Sequence, residues 1–295
     1  MTLSKMSSYH QESGIGALYL VPTPIGNLGD MTYRAVDVLK EVDLIAAEDT
    51  RNTQKLLNHF EIKTSQISFH EHNTQERIPQ LIDKLTNGIN IAQVSDAGTP
   101  SISDPGHELV VACINAGIAV IPLPGANAGL SALIASGLSP QPFLFVGFIS
   151  RRKKEKELQL QVLAKKKETL IFYEAPHRLK KTLESLSLFL GKERKVVLCR
   201  ELTKKFEEFI RGSIDEAITW ARNEQVRGEF CIIVEGNSIV LEEKSEQISE
   251  SSIESQVKLL IEEQNYRTND AIKDVAKKNK LKKQIVYNIY HHIES

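Results

Sequence analysis

Short apolar runs alternate along this 295-residue chain with longer stretches in which apolar residues recur at every third or fourth position. The runs Leu18–Val21, Asp43–Ala47, Asn90–Ser95, Ile118–Leu123, Phe143–Phe148, Thr169–Tyr173, Lys195–Cys199 and Phe230–Val234 predict strands. Thr32–Lys40, Thr74–Leu85, Glu108–Asn115 and Arg178–Leu190 carry the helical spacing. Strands alternating with amphipathic helices predict α/β architecture with largely parallel sheets. Fully apolar runs such as Ile118–Leu123 suit central strands covered on both faces. Residues 109–150 carry no charge, but Pro122, Pro124, Pro140 and Pro142 interrupt them and leave only 15 residues between the inner pair. A membrane helix needs about 20 apolar residues, so this stretch reads as buried core.

Composition changes that picture in two places. Residues 151–168 hold eight Lys/Arg against three Glu, a local charge of +5. Between residues 241 and 256, five Glu, one Lys and many Ser predict a solvated linker, placed at 238–251 and followed by a helical segment, 252–295. Its Thr268–Ile293 portion pairs two short helices around Asn279, similar to a helix-turn-helix. Overall, 37 Lys+Arg nearly balance 38 Asp+Glu, so an anionic partner must be met by a local patch. At about 150 residues per domain the length suits two domains. Cys113, Cys199 and Cys231 lie far apart, which excludes a disulfide framework and a Cys-rich zinc site and suits a reducing cytoplasm. The polar N-terminal residues 1–14 show no signal-peptide core.

Familiar nucleotide and hydrolase signatures are missing: there is no GxxxxGK[ST], HExxH or GxSxG, and Gly14-Ile-Gly16 lacks a third glycine. Three Gly/Pro loops instead follow predicted strands: VPTPIGNLGD after the first, VSDAGTPSISDPG after Asn90–Ser95, and PLPGANAG after Ile118. Each alone is ordinary turn chemistry. Three at equivalent strand ends point to a ligand site, because parallel sheets bind ligands at the carboxyl ends of their strands. Glu48-Asp49-Thr50-Arg51 ends the second strand; Asp49 or Thr50 can cap the helix near Arg51, or Glu48, Asp49 and Arg51 can project into a cleft. Glu174, His177 and Arg178 follow another strand. Their spacing resembles a metal pair, as does His70-Glu71-His72, but no further ligand completes either, so no metal is expected.

The ordered series VPTPIGNLGD, AAEDTR, VSDAGTPSISDPG, PLPGANAGLSALIASGL, TLIFYEAPHRL, VVLCRELTKKFEEFIRG and GEFCIIVEG, from Leu18 to Gly236, resembles the RsmI family of 16S rRNA (cytidine-2′-O-)-methyltransferases within the tetrapyrrole methylases. The resemblance implies two α/β domains, 16–127 and 128–237, with a cleft between them. It implies S-adenosylmethionine as donor and the ribose 2′-O of a cytidine near the decoding centre of 16S rRNA as acceptor, in the cytoplasm and in a homodimer. Donor binding is implied for Pro24, Ser95, Asp96, Ala97, Gly98, Thr99, Ala126, Asn127, Tyr173 and Glu201. Glu48, Arg51, Arg151, Arg152, Lys153, Lys154, His177 and Arg178 are then candidates to meet RNA. A ribose hydroxyl needs a proton acceptor, for which Asp49, Asp96 and Glu174 are the candidates. Methylation of a tetrapyrrole or another small molecule, or a silent RNA-binding assembly factor, stays open on sequence alone.

Overall fold

The computed structural model describes residues 5–7, 14–237, 250–262, 266–279 and 281–293. Most of the predicted linker, residues 238–249, lies outside them. The described chain forms two compact units, one ending at Asn237 and one after it.

The first unit opens with a five-stranded sheet. Strands β1 (Leu18–Leu20), β2 (Leu44–Ala47), β3 (Gln66–Ser68), β4 (Ile91–Val94) and β5 (Val120–Pro122) lie in the order β3-β2-β4-β1-β5. Every pairing is parallel. Helices α1 (Tyr33–Glu41), α2 (Thr50–His59), α3 (Thr74–Thr86) and α4 (His107–Asn115) connect them. Alternate side chains enter two cores. Ile45 and Ala47 pack with Leu39 and Leu57 of α1 and α2, while Ala46 and Ile91 pack with Leu81, Leu85 and Leu109 of α3 and α4. Both faces are covered, which is why Ile91–Val94 is buried throughout.

The second sheet contains β6 (Phe143–Phe148), β7 (Thr169–Glu174), β8 (Lys195–Arg200), β9 (Glu208–Ser213) and β10 (Phe230–Val234), in the order β6-β7-β10-β8-β9. Here the expectation of a largely parallel sheet fails. Only β6–β7 is parallel, and β7–β10, β10–β8 and β8–β9 are antiparallel. The cause is β9, which pairs with β8 through a short connection and leaves β10 to insert between β7 and β8. Helices α6 (Lys153–Leu163), α7 (Pro176–Leu190) and α8 (Ile214–Asn223) cover one face through Leu160, Leu183 and Ile218. Helix α5 (Ala128–Ser136) covers the other with Ala132 and Leu133 against Ile171, Cys199 and Ile233.

The unit after Asn237 packs α9 (Glu250–Glu262), α10 (Thr268–Lys278) and α11 (Lys283–Tyr290) around Val257, Ile272, Val275 and Val286. Helix α9 begins inside the predicted linker. Among the described residues, no helix is long and apolar enough to cross a membrane.

Candidate active site

Neighbouring strands β1 and β4 send their connections in opposite directions, β1 towards β2 and β4 towards β5. Such a switch point opens a crevice at the carboxyl ends of the strands. The loops that follow β1 and β4 meet there. Thr23 and Gly98 exchange backbone hydrogen bonds of 2.9 Å in both directions, and the Thr23 hydroxyl donates to the Ser95 carbonyl at 3.1 Å. Gly98 takes φ +85°, and a Cβ there would stand 3.3 Å from Ile25, so glycine suits both the turn and the space. The Thr99 hydroxyl donates to the Ala126 carbonyl at 3.1 Å, which ties the β4 loop to the one after β5.

A cavity of about 410 Å³ lies against these loops. Ile25, Ile102, Phe148 and Leu202 give it apolar walls; Ala97, Gly98, Thr99 and Asn127 present loop backbone; Asp104, Tyr173, Lys204 and Glu229 supply polar groups. This mixture, in the size range of small-molecule sites, fits a nucleoside-bearing sulfonium: apolar surface for an aromatic ring, backbone for hydroxyls, carboxylates for positive charge. The buried Ser101 hydroxyl has no hydrogen-bond partner among the described residues. A second cavity of about 250 Å³ opens on the other side of the Thr23–Gly98 bridge, lined by Thr23, Pro24, Asn52, Lys55, Ser95 and Asp96 among others.

Three carboxylates gather at this edge. The Asp96 N–H donates to Glu48 Oε2 at 3.2 Å, and Asp96 Oδ1 accepts from the Asp49 N–H at 3.2 Å. Burial, with Asp96 nearby, raises the Glu48 pKa above the usual carboxylate range. Asp104 is pushed up to about 7, first by burial and then by the charge of Glu48, while the nearby Ser95 hydroxyl favours its ionised form. The loop that carries it is tightly specified. Ser101 and Ser103 hold φ of 68° and 65°, which costs a non-glycine residue about 1–3 kcal/mol each and is characteristic of functional loops. Buried Gln93 donates to the Pro105 carbonyl at 2.7 Å, and a side chain at Gly106 would collide with Gln93.

Asp49 has another employment. It caps α2 by accepting from the Arg51 N–H at 2.9 Å, and both its oxygens meet the Arg51 guanidinium, at 3.0 and 2.8 Å. Those hydrogen bonds hold its pKa at about 2. Glu174, on the opposite wall, is buried; its oxygens take the Ala175 N–H at 2.9 Å, Arg178 Nε at 3.2 Å and the Thr182 hydroxyl. Arg178 also donates to the Ile149 carbonyl at 2.8 Å, so it holds the start of α7 rather than facing outward. His177 is exposed beside it.

The structure therefore divides the predicted donor residues. Ala97, Gly98, Thr99, Asn127 and Tyr173 line the larger cavity; Pro24, Ser95 and Asp96 line the smaller one. Asn127 also caps α5, and Tyr173 accepts the Gly129 N–H at 3.0 Å, its hydroxyl pushed up to about 12 by burial. Ala126 lines neither cavity, and its carbonyl is taken by the Thr99 hydroxyl. Glu201 stands behind the wall, where it accepts from Lys204 at 3.0 Å and from the Glu229 N–H at 2.9 Å. Sequence reasoning missed Asp104, Phe148, Lys204 and Glu229. The one available signal for Asp104 was the doubling of Ser-Asp within VSDAGTPSISDPG, which reads equally as an Asp-Pro-Gly turn.

The basic segment places Arg151 and Arg152 ahead of α6 and Lys153 and Lys154 in its first turn, all exposed. Arg152 pairs with Glu155 at 3.0 Å and Lys153 reaches Glu157 only at 4.0 Å. The charge of His70 acts on Glu48, and its ring stands 6.1 Å from that of His72. Among the described residues no three His, Cys, Asp or Glu side chains converge as a metal site would require.

The profile of the tetrapyrrole (corrin/porphyrin) methylases matches residues 17–218. Solved structures with this fold include a uroporphyrin-III C-methyltransferase from Thermus thermophilus complexed with S-adenosylhomocysteine, with TM-score 0.54, 19% identity, and coverage of 74% of this chain and 97% of that one. The methyltransferase CobJ gives a TM-score of 0.58 at 18% identity, covering 76% and 95%. Far greater likeness appears in sequence. "Ribosomal RNA small subunit methyltransferase I" of Halalkalibacterium halodurans is 53% identical over 98% of this chain and 99% of its own length. The protein of the same name in Bacillus subtilis is 52% identical over 98% and 99%, and that of Synechocystis 48% over 95% and 99%. The chain thus belongs to the tetrapyrrole methylases and, within them, to the ribosomal RNA small subunit methyltransferase I family.

Proposed function

We propose that this protein transfers a methyl group from S-adenosylmethionine to the ribose 2′-oxygen of a cytidine in 16S rRNA. The observation that carries this reading is the pair of adjoining cavities at the switch point. They lie in a chain about half identical, over nearly its whole length, to proteins named for small-subunit rRNA methylation. The larger cavity takes the donor and the smaller one admits the acceptor nucleotide past Asn52, Lys55 and Asp96. The two sheets form domains 16–127 and 128–237.

When bound, the donor supplies a methyl group activated by sulfonium charge. The chain's own work is placement. The cross-linked loops after β1, β4 and β5 hold their backbone groups before any ligand arrives, so little ordering is left to the encounter. Phe148, Ile25 and Leu202 exclude water from the reacting centre. Exposed Arg151, Arg152, Lys153 and Lys154 provide the positive surface that an otherwise neutral chain needs against a polyanion. The large apolar side chains Leu130 and Ile134 are exposed on α5 and support a homodimer that covers them. A cytoplasmic setting suits a ribosomal substrate and three free buried cysteines.

Labelled methyl transfer tests the reading. Small subunits that lack the modification, incubated with the protein and methyl-labelled donor, should take up one label per particle. A tetrapyrrole acceptor labelled in place of the subunits would overturn it. Donor binding without any transfer would leave a silent assembly factor.

A further inference from the structure

We propose that Asp104 takes the proton from the ribose hydroxyl, because its carboxylate lines the donor cavity while its neighbours Ser95 and Asp96 line the acceptor cavity. The inference rests on the function proposed above and deepens it. As the 2′-oxygen forms its bond to the methyl carbon, the carbon–sulfur bond breaks and its electron pair returns to sulfur. The hydroxyl proton passes to a carboxylate oxygen of Asp104 and then to water. Three other acids at the site are more heavily engaged than Asp104, whose partner is the Ser95 hydroxyl. Both Asp49 oxygens are engaged by Arg51. The Glu174 oxygens are engaged by Arg178, Thr182 and the Ala175 N–H. Asp96 accepts from the Asp49 N–H and, at 3.4 Å, from Asn52. Asp104 is half-buried, has no ion pair among the described residues, and sits on a loop whose left-handed serines and Gln93 anchor fix its direction.

Its surroundings also tune it. Glu48 at the end of β2 and Asp96 at the end of β4 add negative charge, and Tyr173 of β7 lines the same cavity. Lys204 and Glu229 line it too, and the charge of His70 acts on Glu48. A base held near neutrality removes a proton effectively at cytoplasmic pH.

The experiment measures single-turnover methyl transfer to small subunits against pH, with donor affinity by calorimetry, for the wild type, Asp104→Asn and Glu48→Gln. A carboxyl-carbon NMR titration of the donor-free wild type and Asp104→Asn accompanies it. Asp104→Asn should slow transfer at saturating donor by about 10²- to 10⁴-fold and abolish the acid limb, with a much smaller change in donor affinity. Glu48→Gln should move that limb to lower pH, because a negative neighbour is removed. The NMR series should show one carboxyl titrating near neutrality in the wild type and none in Asp104→Asn. Asp104→Asn at full rate, an acid limb unmoved in Glu48→Gln, or a loss confined to donor affinity would overturn the assignment; the last would make Asp104 a ligand of the donor's ammonium. Nucleosides from the same reactions separate the two readings. Ribose methylation by a fully active Asp104→Asn removes the role of Asp104 alone, whereas methyl on a base removes the proposed function and that role together.

Discussion

The two sheets of the first unit face one cavity and treat their acidic side chains in opposite ways. On the parallel sheet, Glu48, Asp96 and Asp104 gather at the strand ends, and partial burial first, with like charges after it, raises two of them. On the antiparallel-rich sheet, Glu174 is more deeply buried yet is matched by Arg178, Thr182 and a backbone N–H. Burial alone does not make a reactive carboxylate. Burial with too few partners does, and it arises where loops rather than paired strands carry the acid. The second sheet supplies a firm wall, and the first supplies the group whose protonation can change.

The largest effect on stability should come from breaking the wall. Glu174→Ala leaves Arg178, which is largely buried, without its carboxylate, and removal of a buried partner costs about 3–5 kcal/mol. Thermal denaturation should show that cost, while the acid limb of the pH–rate profile persists in the folded fraction. Disappearance of the limb in Glu174→Gln would move the proton acceptor across the cavity and reverse the contrast between the sheets.

Next in size is the effect at the proposed RNA surface. Reversing Arg151, Arg152, Lys153 and Lys154 to Glu should weaken subunit binding and flatten the slope of log affinity against log salt by about 0.7–0.9 for each phosphate no longer neutralised. Donor affinity should hold, since none of the four lines the cavity. An unaltered salt slope would make the start of α6 an ordinary solvated face.

Smaller effects probe the loops. Gly98→Ala imposes a side chain at φ +85°, 3.3 Å from Ile25, and should cost more than about 1 kcal/mol of stability along with donor affinity. Asp49→Asn keeps an N-cap and should leave folding intact, whereas Asp49→Ala should lower the melting temperature. Because the Asp49 pKa is lowered by folding, its contribution is present above about pH 4 and fades as pH falls through about 2. Asp104 works with the opposite sign. A carboxyl raised to about 7 by folding destabilises the native state progressively as pH rises from about 4 to 7. Asp104→Asn should therefore melt higher than the wild type at pH 8, with the difference shrinking towards pH 5.

Much of this was legible along the chain. The eight strands read from apolar runs all form, and in central ones such as β4 and β10 a run buried on both faces has few alternatives. Strand β3 was missed because three edge residues carry no period, and β9 because its Glu208, Arg211 and Ser213 interrupt the apolar signal on an edge strand. The loop motifs marked strand ends that the fold brings together but could not rank their acids. Asp49 and Glu174 stand in prominent sequence motifs, yet Arg51 and Arg178 engage them. Asp104 gains its character first from burial and then from Glu48, which is 56 positions away in the chain and reaches it only through the order of the sheet.

We propose that the crevice at the carboxyl ends of β1 and β4 delivers a methyl group to a ribose oxygen. Mass spectrometry of nucleosides from treated small subunits decides this. With methyl-labelled S-adenosylmethionine, label should appear in a 2′-O-methylcytidine and be absent when the Gly98 loop is disabled. Label on a base, or none in the particle while the protein binds donor normally, would contradict it.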